Sequence, residues 1–193
     1  MEEARTRAKN SIDAIEPPRN GVTVWFTGLS GAGKTTLCRN VQNALAAKGF
    51  PVEVLDGDSI RKYLCSDLGF SEADRKENIK RIAYVAQLLT RNGVVVLVAA
   101  ISPYESSRQQ ARAAIGNFIE VYVNAPLEVC EARDPKGLYR RARSGALVHF
   151  TGVDDPYEAP ASPEIECHTD IESVAESSKK VIAFVLQSLQ AGE

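Results

Sequence analysis

Two rhythms of apolar and polar positions run along this chain: short apolar-rich runs of strand length, and longer stretches in which an apolar residue returns every third or fourth position. The runs Val22 to Thr27, Val52 to Leu55, Val94 to Ile101, Phe118 to Val123 and Glu164 to Cys167 have strand length. Val94 to Ile101 is apolar throughout, the composition of a central parallel strand covered on both faces. Between these runs the spacing predicts helices. Leu37, Val41, Ala44 and Leu45 share one face of a helix that Gly49 stops and Pro51 follows. Ser59 opens a short helix to Leu64, and Leu68-Gly69-Phe70 reads as a loop. Ser71 and Asp74 form a capping box for a long helix to Arg91 that turns Ile79, Ile82, Ala86 and Leu89 inward, with Gly93 just past its end. On that helix Arg75, Asn78 and Ile82 stack at helical spacing, while Glu77 and Arg81 lie four apart and pair on the surface. Further helices are predicted over Glu105 to Ile115, after Pro126, and over Ser173 to Leu189, the last with Val174, Val181, Ile182, Val185 and Leu189 as its buried stripe.

Strands alternating with helices specify an α/β architecture: a parallel five-stranded sheet covered on both sides, with ligands at the carboxyl ends of the strands. The polar motifs fall at those ends. Gly28 follows the first strand, Asp56-Gly57-Asp58 the second and Ser102 the third. Two segments stand outside the alternation. Residues 1–20 are polar, close on Glu16-Pro17-Pro18-Arg19-Asn20, and read as an N-terminal arm ahead of a single domain over 21–193. Arg133 to Pro163 has no long apolar period and is rich in Arg, Gly, Pro and Asp, which marks a mobile segment.

Composition narrows the function classes. A net charge of −2 gives no reason to expect a nucleic acid or membrane surface as partner. No apolar run approaches the ~20 residues of a membrane span, and the charged start Met1-Glu2-Glu3-Ala4-Arg5 has no apolar core behind it, so neither a secretory nor a transmembrane signal is expected. Cys38, Cys65, Cys130 and Cys167 lie far apart without a C-x-x-C, which argues against a zinc site or a disulfide scaffold and fits a reducing cytoplasm.

The strongest chemical signal is Gly28-Leu29-Ser30-Gly31-Ala32-Gly33-Lys34-Thr35-Thr36, set between the first strand and the first helix. Gly28, Gly33, Lys34 and Thr35 complete the G-x-x-x-x-G-K-[ST] pattern of a phosphate-binding loop, or P-loop. Glycines let backbone N–H groups turn inward around phosphate oxygens, and the helix opening near Lys34 adds the positive end of its dipole. The pattern gives Lys34 the β and γ phosphates of ATP and the Thr35 hydroxyl a place on Mg²⁺, so Lys34 is expected as a solvated lysine whose partner is the ligand. The long third strand ends in Ser102, not in an Asp, so the carboxylate that completes the metal clamp or accepts a proton must come from elsewhere. Asp56 and Asp58 are both candidates. Without an N-K-x-D motif a regulatory GTPase is not expected. Arg61, Arg75, Lys136, Arg140 and Arg143 supply cations suited to phosphate-like or sulfate-like groups.

Taken together these blocks resemble the adenylylsulfate kinases of sulfate assimilation, over roughly residues 20–190. The resemblance rests on Trp25 to Thr36, on Leu55-Asp56-Gly57-Asp58 with Arg61, on Leu68-Gly69-Phe70-Ser71 with Asp74-Arg75 and Glu77-Asn78, and on Ile101-Ser102-Pro103-Tyr104. The most specific blocks are Arg133-Asp134-Pro135-Lys136-Gly137-Leu138-Tyr139, at the end of the segment that starts at Pro126, and Phe150-Thr151-Gly152-Val153-Asp154-Asp155-Pro156-Tyr157-Glu158. It implies a P-loop NTPase-type three-layer fold with a mobile lid over about 134–162, a homodimer, and transfer of the γ-phosphoryl of ATP to the 3′-hydroxyl of adenosine 5′-phosphosulfate. It also implies roles. Arg61, Arg75 and Asn78 bind the acceptor, with Ile101 nearby; Phe70 and Phe150 sandwich its adenine; Lys136 reaches the phosphates from the lid; Asp58 is metal partner or proton acceptor. Ser102 matches the serine that the family describes as a phosphoserine intermediate, whereas a loose in-line transfer needs positioning and charge, so direct transfer is expected. Ser59 departs from the family, which more often has Asn after D-G-D.

Two rival readings remain open from the residues. One is a kinase of the same fold for another small hydroxyl substrate, a nucleotide or a sugar acid, although a sugar acid offers no flat ring to the Phe70 and Phe150 pair. The other is a nucleotide-binding regulatory module that no longer catalyses, for which loss of Lys34, Asp58 or Lys136 would be the marker; all three are present.

Overall fold

The computed structural model describes residues 21–191, so the expected arm over 1–20 lies outside the described residues. In chain order the elements are β1 (Val22–Thr27), α1 (Lys34–Ala46), β2 (Val52–Asp56), α2 (Gly57–Tyr63), α3 (Glu72–Thr90), β3 (Val95–Ala99), α4 (Glu105–Ile115), β4 (Phe118–Asn124), α5 (Leu127–Arg133), α6 (Leu138–Arg143), β5 (Ile165–His168) and α7 (Val174–Ala191). The five strands form one parallel sheet in the order β2-β3-β1-β4-β5.

The pleat of β1 divides the core. Val22, Val24 and Phe26 face a layer holding Leu37, Val41 and Leu45 of α1 with Val181, Val185 and Leu189 of α7. Trp25 faces the other layer, with Ile79, Ile82 and Ala86 of α3 and Ala111 of α4. Two covered faces explain why β1 and β3 are buried along their whole length.

Three differences from the sequence reading bear on the site. β3 ends at Ala99, two residues early, because the chain there turns toward the loop after β1: Ala100 N–H donates to Phe26 O (3.3 Å) and Gly28 N–H to Ile101 O (3.5 Å). Ser102 then takes a positive φ of 48°. α2 starts at Gly57, not Ser59, because Asp56 is the cap, its Oδ1 accepting from the N–H groups of Asp58 (3.1 Å) and Ser59 (3.3 Å). Finally, the segment over 134–162 carries its own anchor. α6 lies within it, and Tyr139 and Phe150 are buried in the core layer of α1. Two aromatics eleven positions apart in a polar stretch leave no period to detect, which is why the sequence reads as featureless there.

Candidate active site

The loop after β1 is shaped by close approach. A Cβ on Gly28 (φ 146°) would stand 2.4 Å from Val123 O, and one on Gly31 (φ 79°) 2.8 Å from Cys130 O, so β4 and α5 leave room for glycine alone. α1 then opens at Lys34 behind Gly33, with no side chain capping its first N–H groups. An uncapped helix start at the carboxyl edge of a parallel sheet is an anion site.

Lys34 does not extend into solvent as expected. Its Nζ curls back onto the carbonyls of Gly28 (2.8 Å) and Leu29 (2.7 Å), two groups that the inward-turned loop aims at it. Desolvation, opposed by Cys130 and the Asp58 and Asp56 carboxylates, brings its pKa down to about 8.

Thr35 Oγ1 donates to Asp56 Oδ2 (3.3 Å). The carboxylate beside the Thr35 hydroxyl is therefore Asp56, two residues before the expected Asp58. Asp56 ends β2 and looks across the sheet edge, whereas Asp58 rides on the first turn of α2 and pairs with Lys136 on the opposite wall. A hydroxyl and a carboxylate next to a phosphate cradle are the hard oxygen donors that suit Mg²⁺, which keeps water and substrate oxygens for its remaining positions.

The same cavity, about 630 Å³, runs from this loop to a second cluster: Arg61, Phe70, Arg75, Asn78, Ile101 and Ser102 all line it, as do Asp58 and Lys136. Phe70 is 54% exposed, with the guanidinium carbons of Arg61 and Arg75 at 4.8 and 5.7 Å from its ring centre. Arg75 is buried and clasps three neighbours, donating to Phe70 O (3.0 Å) and His149 O and lying 3.6 Å from the Asp155 carboxylate. Desolvation and the nearby Arg75 charge lower the pKa of Arg61. Asn78 presents a buried Oδ1 that no protein donor meets among the described residues. An acceptor left so inside a cavity is available to a donor on a ligand.

Two expected residues sit differently. Phe150 is only 6% exposed and packs edge-on against Tyr139 (centroids 4.9 Å apart, planes at 90°), so the two-sided aromatic clamp is not assembled in this conformation. Tyr139, held by its hydroxyl on Ser30 O (3.0 Å), gives Phe150 a wall to lean on. Ser102 is 2% exposed, and its Oγ accepts from Trp25 Nε1 (2.9 Å) and points its proton at Ala100 O (3.4 Å). The hydroxyl is committed on both sides.

Two residues at the loop's outer rim were given no role from the sequence. Thr169 Oγ1 donates to Ala32 O (2.7 Å), and Arg133 donates to Thr169 O (2.6 Å). Arg133 belongs to the distinctive R-D-P-K block; a lone threonine after a short strand carries no signal of its own.

Among known proteins, the family model described as adenylylsulphate kinase matches residues 20–168. An adenylyl-sulfate kinase of Synechococcus sp. (strain JA-3-3Ab) is 62% identical over 173 residues, covering 90% of this chain and 96% of that protein. One from Microcystis aeruginosa (strain NIES-843 / IAM M-2473) is 60% identical over 163 residues, 84% of this chain and 90% of its own length. Among solved structures, the APS kinase of Mycobacterium tuberculosis in complex with AMPPNP and APS superposes with a TM-score of 0.83 at 47% identity, over 88% of this chain and 99% of that one. With the motifs in place around one cavity and identity sustained across most of both lengths, the chain belongs to the adenylylsulfate kinase family.

Proposed function

We propose that this chain transfers the γ-phosphoryl group of ATP to the 3′-hydroxyl of adenosine 5′-phosphosulfate, giving 3′-phosphoadenylyl sulfate and ADP. The observation that carries the reading is one cavity with a backbone phosphate cradle at one end and the Arg61–Phe70–Arg75–Asn78 cluster at the other, in a chain 47% identical to a kinase captured with AMPPNP and APS.

In this reading Gly28 to Thr36 hold the ATP phosphates, and Lys34 leaves its two loop carbonyls for the β and γ oxygens. Thr35 and Asp56 are the residues that would hold Mg²⁺. When bound, the ion neutralises charge on the transferring phosphoryl group. The acceptor's anionic end lies against Arg61 and Arg75, with its adenine on Phe70 and over Asn78 and Ile101. Phe150 reaches the opposite face of the ring once it leaves its seat against Tyr139, within the lid over about 134–162. The acceptor oxygen bonds to the γ-phosphorus as the bond to the β-γ bridging oxygen breaks. Lys136 leaves the Asp58 carboxylate for phosphate oxygens, and Asp58 takes the hydroxyl proton. Ser102 takes no part as a nucleophile, for which its buried, doubly bonded hydroxyl is the support.

The four cysteines are buried free thiols, consistent with a reducing cytoplasm, and no helix among the described residues is long and apolar enough to cross a membrane. The homodimer rests on the family resemblance alone, and light scattering of the purified chain checks it. The test of function is ADP release with ATP and a panel of acceptors. Turnover with adenylyl sulfate and not with gluconate or AMP is expected; turnover with gluconate or AMP in its place, or none with any acceptor, overturns the reading in favour of a rival kinase or a regulatory module.

A further inference from the structure

Arginine is rarely interior, yet Arg108 on α4 has a side-chain exposure of 0%. Each edge of its guanidinium is used. Nε donates to Glu120 on β4 (2.7 Å), one terminal nitrogen to Glu105, and the other to the carbonyl of Ser102 (2.7 Å). Glu120, 2% exposed, is met on its other oxygen by Arg112 (3.4 Å), which in turn forks onto Glu164 (2.6 and 2.8 Å). Two arginines and three glutamates alternate along this chain, and through Arg108 it reaches the turn after β3.

That turn needs holding. Ser102 has a positive φ of 48° without being glycine, a conformation that persists only where surroundings impose it. Thr27 Oγ1 bonds Ile101 O (2.7 Å), Trp25 bonds the Ser102 hydroxyl, and Glu158 N–H bonds Pro103 O (2.8 Å), but among these the charged, fully buried donor is Arg108. Ile101 and Ser102 line the cavity, and Glu158 brings the return of the lid onto the same turn.

We propose that Arg108 is a positioning residue for the phosphoryl acceptor: through the Ser102 carbonyl it holds the Ile101–Ser102–Pro103 turn, which floors the acceptor half of the cavity and seats the lid's return. The inference rests on the functional reading above for what the acceptor is, and on geometry for the anchoring. Removing Arg108 alone strands the Glu120 carboxylate in the core and threatens folding, so the informative variant is Arg108→Met with Glu120→Leu, which removes the pair together and leaves Arg112 its Glu164 partner.

The full chain and the double variant are compared by thermal melt, by kinetics against both substrates, and by amide hydrogen exchange. The expected result is a cooperative melt, a KM for adenylyl sulfate raised about tenfold or more, a KM for ATP within about twofold, and exchange at Ile101, Ser102 and Tyr104 faster by about tenfold while amides of α1 keep their protection. Adding Arg108 back in the Glu120→Leu background restores both the KM and the exchange. A folded double variant with parental acceptor KM, or with parental exchange at the turn, overturns the inference. Failure of the functional reading looks different, since the parent itself then shows no turnover with adenylyl sulfate, and the exchange comparison still decides whether Arg108 holds the turn.

Discussion

The two ends of the cavity are built by opposite means. The donor end is nine consecutive residues, Gly28 to Thr36, whose working groups are backbone N–H donors placed by glycines that β4 and α5 would not let be anything else. At the acceptor end, side chains gather from α2, the loop before α3, α3 itself, the turn after β3 and the lid, and they are held by one another: Arg75 by His149 and Asp155, Ser102 by Trp25 and Arg108, Asp58 by Lys136. A contiguous backbone cradle has its geometry written in local φ values. A side-chain cluster inherits its geometry from distant packing. The donor end should therefore fail all at once when its one indispensable side chain is lost, and the acceptor end by degrees.

The largest effect is expected at Lys34. Lys34→Ala should lower kcat by about 10³-fold, the upper range for removing one donor aimed at developing charge. Retention of more than about a tenth of the parental rate, a loss under ~1.4 kcal/mol, would break the assignment of the loop. The lysine also carries a pH signature. Its folded pKa is lowered to about 8 from 10.5, so between those values the unfolded chain binds the extra proton. Stability then rises with pH through that window, because a desolvated charge is being discharged in the folded state. Melts of parent and Lys34→Ala from pH 7 to 10.5 should diverge in that sense, and parallel curves would refute the burial of the charge.

Next come the two carboxylates that one motif, Asp56-Gly57-Asp58, sends to different walls. Asp58→Asn should cost about 10²-fold in kcat at any Mg²⁺ level, as loss of a proton acceptor does. Asp56→Asn should cost on the order of 10–100-fold at low Mg²⁺ and recover as the ion is raised. A Mg²⁺ titration of both variants separates them, and recovery by Asp58→Asn instead would return the metal to Asp58.

How much of this was readable before the structure follows the same division. The parallel sheet, the helix faces and the P-loop were, because each is a local period or a contiguous pattern, except that Val174, expected in the buried stripe of α7, is 44% exposed at the start of that helix. Asp56 and Asp58 were named together, but only the cap that Asp56 makes for α2 decides which one meets Thr35. Lys34 was assigned to the right loop with the wrong free state, since the two carbonyls it grips are aimed by curvature that spacing does not express. Tyr139 stood in a distinctive block with no role attached to it, and Arg108 and Thr169 were invisible as functional parts. Those two act on a segment more than five positions away through its carbonyl, and nothing in their own neighbourhood marks them.

The aromatics sharpen the comparison further. Phe70→Ala should weaken adenylyl sulfate by roughly tenfold, since stacking contributes ~1–3 kcal/mol per base, with ATP affinity and the melt unmoved. Phe150→Ala should instead lower stability by about 3–5 kcal/mol, because it empties a buried ring site against Tyr139. A Phe150→Leu variant, which fills most of that site without a ring, then asks whether the lid contributes a second stacking face. Weaker acceptor binding with a near-parental melt supports the clamp, and unchanged binding of both substrates assigns Phe150 to the core alone.

The smallest effect on rate is expected at Ser102, where the family description would place the largest. Its Oγ accepts the indole proton of Trp25 and directs its own toward Ala100 O, and its backbone is fixed by Arg108 in a positive-φ turn. An attack by this oxygen on a γ-phosphorus would require breaking a buried hydrogen bond and re-aiming a side chain whose backbone is held from behind. In-line transfer from ATP to the acceptor asks only that both be held and their charge met. Ser102→Ala should thus keep kcat within about threefold, while the orphaned indole N–H costs about 1–3 kcal/mol of stability, a difference between readouts that marks a structural hydroxyl. Rapid quench of the parent with γ-labelled ATP supplies the direct check: no labelled protein should accumulate before product. A species labelled at Ser102 that forms and decays as fast as turnover would overturn direct transfer and make the buried serine, against its geometry here, the first acceptor.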